Sequence, residues 1–140
     1  MKSAYIVSGL RTAVGKAKKG GFRFVRPDDL AANVIKSLVK KTKGLEGIMV
    51  DDLIVGNAVP EAEQGMQMAR YISLLSLPKE VPGLVINRYC GSGLEAIHLA
   101  CAKINAGSAE CVIAGGTESM SMVPMTCLLY TSDAADEWRS

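Results

Sequence analysis

Two kinds of apolar segment alternate along this chain, and their alternation constrains the fold more than any other feature. Short runs rich in β-branched residues are typical of buried strands, and longer runs with apolar residues three and four positions apart are typical of helices. In chain order the predicted segments are strand 4–7, helix 27–43, strand 52–57, helix 61–75, strand 84–89, helix 93–105 and strand 111–114. Parallel strands need crossover connections, which helices supply, so this order predicts an α/β fold with a mostly parallel sheet and covering helices.

The length and composition are typical of one globular domain. The chain has 140 residues, of which 49% are apolar and 21% charged, and a domain of this size buries about 70% of the surface that its unfolded chain exposes. The formal net charge is only +2, and few aromatic residues accompany the lysine clusters, so no nucleic acid partner is expected. The sequence shows no apolar leader and no run of about 20 apolar residues, which predicts a cytoplasmic protein without a membrane partner.

Four cysteines, at positions 90, 101, 111 and 127, are too far apart in sequence for a zinc ribbon or a redox motif. No metal site is therefore predicted. Cys101 lies on the apolar face of a predicted helix and Cys111 opens a predicted strand, so both are interpreted as core residues. Cys90 differs because it lies between a strand and a helix.

Cys90 directly follows the third predicted strand and precedes Gly91, Ser92 and Gly93, with which the next helix begins. The free N–H groups and the positive end of a helix dipole favour a thiolate at that position. Gly91 and Gly93 are predicted to shape a sharp turn with positive φ that lets a substrate approach the backbone, and Ser92 is a candidate helix cap. A buried structural cysteine is the alternative for a single cysteine considered by itself, but this context favours a nucleophile.

Five segments taken together resemble the thiolase family, and the resemblance covers roughly residues 1–125. The segments are 8–15, 52–57, 68–70, 87–97 and 114–121, and the fourth contains Asn-Arg-Tyr-Cys-Gly-Ser-Gly-Leu. The resemblance implies a layered αβαβα fold built from two similar halves, with this chain supplying most of the N-terminal half. Residues 1–125 are thus interpreted as an incomplete thiolase N-terminal domain, and residues 126–140, which break the pattern, as an unmatched, non-native tail.

The same resemblance implies a CoA-dependent acyltransferase. Cys90 would attack a 3-ketoacyl-CoA at its keto carbon, release acetyl-CoA and pass the retained acyl group to a second CoA, and the reverse reaction would be a Claisen condensation. Coenzyme A is then a substrate, and no bound cofactor is expected. Glu118 is expected to support the loop after the fourth strand, and no substrate-binding residue is assigned. The full-length protein is expected to bind acyl-CoA and CoA and to form a homo-oligomer, either a dimer or a tetramer.

Two further catalytic groups of the family are missing from this sequence. Thiolases take a histidine from a Gly-His-Pro segment and a second cysteine from a Cys-x-Gly segment in their C-terminal half, and neither segment occurs here. His98 is interpreted as an ordinary residue of the third helix. The chain by itself is therefore expected to be inactive.

Three other functions stay open at this point. An acetoacetyl-CoA-forming acetyl-CoA acetyltransferase shares Cys-Gly-Ser-Gly, although Asn87 and Arg88 before the cysteine favour a degradative enzyme of broad chain length. A non-catalytic thiolase-like module is a second alternative. The glycine pattern at 91–96 also fits a dinucleotide-binding motif, but it follows the third strand instead of the first and lacks an acidic residue about 20 positions on.

Overall fold

The computed structural model describes residues 2–123, which form a parallel sheet with helices on both faces. Its elements are α1 (Pro27–Lys41), β1 (Asp52–Gly56), α2 (Met68–Ser76), β2 (Gly83–Ile86), α3 (Ser92–Asn105) and β3 (Val112–Gly116). The predicted α/β class and the parallel sheet are confirmed. The tail predicted at 126–140 lies outside the described residues.

β1 is the central strand of the sheet, whose order is β2-β1-β3. Gly56, the last residue of β1, pairs with Ile86 on one side and with Gly116 on the other. All three strands therefore end at the same edge. In open parallel sheets, ligands bind outside this carboxyl edge.

The side chains of β1 point alternately to two apolar layers. Leu53 and Val55 belong to a buried cluster with residues of α1 and α2, while Ile54 is buried against Ala96 and Ala100 of α3. This alternation follows from the two-residue period of a strand. The α1 and α2 helices thus cover one face of the sheet and α3 covers the other.

The beginning of α3 lies directly on the end of β1. A Cβ atom added to Gly56 would lie 2.4 Å from the carbonyl carbon of Ser92 and 2.5 Å from the nitrogen of Gly93. Only a residue without a side chain allows that approach. Gly56 therefore sets the distance between the strand ends and the first turn of α3.

The predicted strand at 4–7 is wrong. Tyr5, Ile6 and Val7 are each more than four fifths exposed, and they pair with no strand in the described part of the chain. A run of β-branched residues favours an extended backbone, but it forms a strand only where the edge of another strand is available for hydrogen bonding.

The predicted helix at 61–75 is wrong in its first half. A short 3-10 turn occupies Ala62–Gln64, and α2 begins only at Met68. Ala62 and Met66 have φ values of 50° and 54°, which a continuous helix cannot contain. The predicted strand at 84–89 is also too long, because β2 ends at Ile86.

Candidate active site at the start of α3

Cys90 lies in the connection between β2 and α3, at the edge where the parallel strands end. Its side chain is exposed, so a reagent or substrate in solvent can reach the sulfur atom. The first turn of α3 is fixed next to it by the contact with Gly56. The predicted nucleophile is thus accessible and lies on a rigid support.

The backbone of the turn is strained at Tyr89, immediately before the cysteine. Tyr89 has a φ of 46°, and the only glycines with positive φ in the described residues are Gly44 and Gly107. The expectation of positive φ at Gly91 and Gly93 is therefore wrong. A left-handed conformation costs a residue with a Cβ atom about 1–2 kcal/mol, and such strain is often found at functional sites.

Three side-chain hydrogen bonds hold this turn. The hydroxyl of Ser92 accepts a bond from the Arg88 N–H (2.8 Å) and donates one to the Tyr89 carbonyl (2.6 Å). The Tyr89 N–H donates to Oδ1 of Asn87 (2.8 Å). Ser92 is not the helix cap, because Gly91 occupies that position and makes no side-chain cap. The Ser92 hydroxyl instead bonds backwards to the turn.

The two glycines after Cys90 lie in uncrowded surroundings. A Cβ atom added to Gly91 would be 3.4 Å from the Arg88 carbonyl oxygen, an ordinary contact, and one added to Gly93 would meet nothing within 4 Å. The space beside Gly93 is thus open to a bound molecule. A turn-shaping role for either glycine stays a prediction.

Arg88, Glu95 and His98 lie together at the exposed side of the first turns of α3. Arg88 pairs with Glu95 at 3.1 Å, and Nδ1 of His98 lies 3.8 Å from the same carboxylate. The His98 side chain is 76% exposed. Its nearest charged partner is therefore Glu95, on the solvent side of the helix.

Glu118 connects the loop after β3 to the loop after β1. Its carboxylate accepts hydrogen bonds from Nδ2 of Asn57 (3.1 Å), the N–H of Ala58 (2.7 Å) and Nε2 of Gln64 (2.6 Å). Asn57 and Gln64 are buried, and sequence reasoning assigned no role to either. For Asn57, the sequence signal is an amide residue at the end of a predicted buried strand. For Gln64 there is no such signal, because the residue lies within the predicted helix at 61–75.

The other two cysteines in the described residues are half-buried. Burial raises the pKa of the Cys111 thiol, and the negative charge of Asp51 raises it further. Between residues 2 and 123, no group of three or more histidine, cysteine or acidic side chains could hold a metal ion. In that same part of the chain, none of the helices has the length and apolar character needed to span a membrane.

Comparison with known proteins identifies the family to which this arrangement belongs. The family model described as "Thiolase, N-terminal domain" matches residues 4–134. The chain belongs to the thiolase family. The resemblance drawn from the sequence is thus confirmed, and the glycine pattern at 91–96 lies within a thiolase domain. The domain boundary at 125 and the non-native origin of the tail stay predictions.

Individual thiolases show the same similarity. The chain is 57% identical to a 3-ketoacyl-CoA thiolase of Bacillus subtilis (strain 168) over 126 residues, which are 89% of this chain and 32% of that protein. It is 40% identical to a 3-ketoacyl-CoA thiolase of Enterobacter sp. (strain 638), covering 90% of this chain and 33% of the relative. The crystal structure of the Bacillus anthracis acetyl-CoA acetyltransferase matches with a TM-score of 0.81 at 34% identity, over 89% of this chain and 31% of that one. The chain thus spans about a third of the length of the curated relatives it matches.

Proposed function

We propose that the protein is a CoA-dependent acyltransferase that cleaves 3-ketoacyl-CoA to acetyl-CoA and a shortened acyl-CoA through an acyl-cysteine at Cys90. The observation that carries the proposal is the position of Cys90: an exposed thiol on a strained turn, at the edge where the parallel strands end. The 57% identity to a 3-ketoacyl-CoA thiolase supports this choice of reaction.

The proposed cleavage has two steps with one covalent intermediate. The Cys90 thiolate forms a bond to the keto carbon of the substrate, and the bond between that carbon and the neighbouring CH₂ breaks. The electron pair of the broken bond leaves with the acetyl-CoA fragment, which takes up a proton. The thiolate of a second CoA then attacks the acyl thioester, and the Cys90 thiolate leaves. The reverse sequence is a Claisen condensation.

The described residues expose the nucleophile and leave space for the substrate. The turn at Tyr89 presents the thiol to solvent, and the open space beside Gly93 can admit a thioester. The proton donor and the base are proposed to come from the Gly-His-Pro and Cys-x-Gly segments that the family carries in its C-terminal half. We assign no catalytic role to His98, which contacts Glu95 on the solvent side of α3.

The remaining parts of the proposal concern the full-length protein. Acyl-CoA and CoA are its substrates, no resident cofactor is required by the two steps above, and the protein is expected to act in the cytoplasm as a homo-oligomer. Glu118 is proposed to support the loop after β3 through its three hydrogen bonds, and it takes no part in the chemistry.

Formation of acetoacetyl-CoA from two acetyl-CoA molecules is the second candidate function. The TM-score of 0.81 to an acetyl-CoA acetyltransferase supports it. The two candidates differ in the acyl chain that the site accepts. A comparison of kcat/KM for acetoacetyl-CoA and for 3-ketoacyl-CoA substrates of eight and twelve carbons would separate them: a strong preference for acetoacetyl-CoA favours the second.

The nucleophile is tested in the full-length protein by replacing Cys90 with alanine. We expect C90A to lose thiolysis by more than about a thousandfold, because removal of a nucleophile leaves only the residual contribution of binding. Wild-type protein incubated with a 3-ketoacyl-CoA but no free CoA should gain one acyl mass on the peptide that contains Cys90.

C101A is the matched control for this experiment, since Cys101 is half-buried in α3, and it should keep both turnover and the acyl adduct. Turnover by C90A would exclude the proposed mechanism. Binding of CoA by wild-type protein without any turnover or adduct would instead favour a non-catalytic thiolase-like module.

A further inference from the structure

The turn before Cys90 has an unfavourable backbone conformation that something must maintain. Tyr89 occupies the first central position of the turn closed by the bond from the Gly91 N–H to the Arg88 carbonyl (3.0 Å), and its φ is 46°. Gly, Asn and Asp dominate turn positions with positive φ. A tyrosine there will leave this conformation unless its surroundings determine it.

Side chains bind both polar backbone groups of Tyr89, and its carbonyl also accepts the Ser92 N–H (3.0 Å). Its carbonyl accepts the hydroxyl proton of Ser92 (2.6 Å), and its N–H donates to Oδ1 of Asn87 (2.8 Å). The Ser92 oxygen also accepts the Arg88 N–H (2.8 Å), so Ser92 holds the Asn87–Arg88 peptide plane as well as the Tyr89–Cys90 plane, while Asn87 holds the plane between them. These contacts do not need the tyrosine ring, which is outside the turn: Tyr89 is 77% exposed.

Ser92 is itself buried and closely packed. It is 4% exposed, it is the first residue of α3, and its backbone lies against Gly56 at the end of the central strand. The hydroxyl therefore acts from a fixed point of the sheet. Any change in the peptide planes that it holds would change the direction of the Cα–Cβ bond of Cys90.

We propose that Ser92 is a positioning residue, and that its hydroxyl, together with the Asn87 side chain, locks Tyr89 in the left-handed conformation and so sets the direction of the Cys90 thiol. The importance of the thiol direction for catalysis rests on the proposed function. The conformation of Tyr89 and its dependence on Ser92 can be observed whether or not the protein catalyses thiolysis.

The first test replaces Ser92 with alanine in the full-length protein. We expect Tyr89 to move to negative φ in a crystal structure of S92A, and kcat for thiolysis to fall by roughly ten- to a hundredfold, the size expected for displacement of a reacting atom by about 1 Å. The KM for CoA should stay close to the wild-type value, because the Ser92 hydroxyl is buried and bonds within the turn.

A pair of double variants separates the lock from a merely structural role. Glycine adopts positive φ without a Cβ penalty, so S92A/Y89G should recover several-fold more kcat than S92A/Y89A, although both lack the aromatic ring. Equal kcat in the two double variants would overturn the proposal, as would S92A with Tyr89 still at positive φ and an unchanged kcat.

A second pair keeps the proposal testable if S92A does not fold. Asn87 is exposed, and both N87A and N87D lose the bond from Nδ2 to the Ala58 carbonyl. Only N87D keeps an oxygen that can accept the Tyr89 N–H. N87D should therefore be several-fold more active than N87A; equal activity would count against the lock. An inactive wild-type protein whose Tyr89 responds to S92A as described would refute the proposed function alone.

Discussion

Cys90, Cys101 and Cys111 differ in how far solvent reaches their sulfur atoms. Cys90 is exposed, whereas the other two are half-buried, and burial raises the pKa of Cys111. A higher pKa leaves less thiolate at neutral pH, and the thiolate is the form that reacts with alkylating reagents. The exposure of Cys90 and the raised pKa of Cys111 therefore both favour reaction at Cys90 over Cys111.

We predict that iodoacetamide at neutral pH labels Cys90 first and Cys111 last in the folded full-length protein. The rates can be measured by mass spectrometry of peptides taken at successive times. Labelling in a denaturant is the control, since unfolding removes the burial that separates the sites and should bring the rates together. Equal rates in the folded protein would contradict the assignment of Cys90 as an activated and accessible nucleophile.

At the scale of elements, the contact between β1 and α3 determines where the site lies. The atoms nearest to a Cβ added at Gly56 belong to the backbone of Ser92 and Gly93, and backbone atoms cannot rotate away as a side chain can. The strand end and the helix start must therefore separate if any side chain is placed there.

We predict opposite effects of alanine at the two glycines of this contact. G56A should lower the free energy of unfolding by about 1–3 kcal/mol or more, the usual cost of overpacking. G93A should leave it unchanged or raise it by up to about 1 kcal/mol, because its Cβ meets nothing within 4 Å and alanine is favoured over glycine in a helix.

Denaturant unfolding of the full-length variants measures both changes. Thiolysis supplies a second comparison, because the methyl group in G93A would occupy the space that we propose for the thioester and should lower activity without loss of stability. A destabilised G93A, or a G56A as stable as wild type, would contradict the packing described above.

At the scale of the whole molecule, most of the fold but little of the site geometry can be predicted from the sequence. The spacing of apolar residues within each short segment indicates the order of strands and helices, and it places Cys90 between β2 and α3. The failed strand at 4–7 and the left-handed Tyr89 depend on partners elsewhere: the first lacks a neighbouring edge, and the second is held by Ser92 and Asn87. The conformational preference of a short segment does not show which distant residues will contact it.

We predict that the 140-residue chain alone catalyses no CoA-dependent thiolysis of acetoacetyl-CoA. The mechanism needs one group to take the Cys90 proton and another to protonate the departing acetyl-CoA fragment. The single histidine of the sequence, His98, is 76% exposed beside Glu95, and the Glu118 carboxylate already accepts three hydrogen bonds.

The rate of thiolysis by the chain would be compared with that of the full-length protein at equal concentrations of reactive Cys90, which are determined by labelling. Replacement of His98 by alanine in the full-length protein should leave kcat unchanged, whereas turnover by the isolated chain that is lost in H98A would assign the base to this helix.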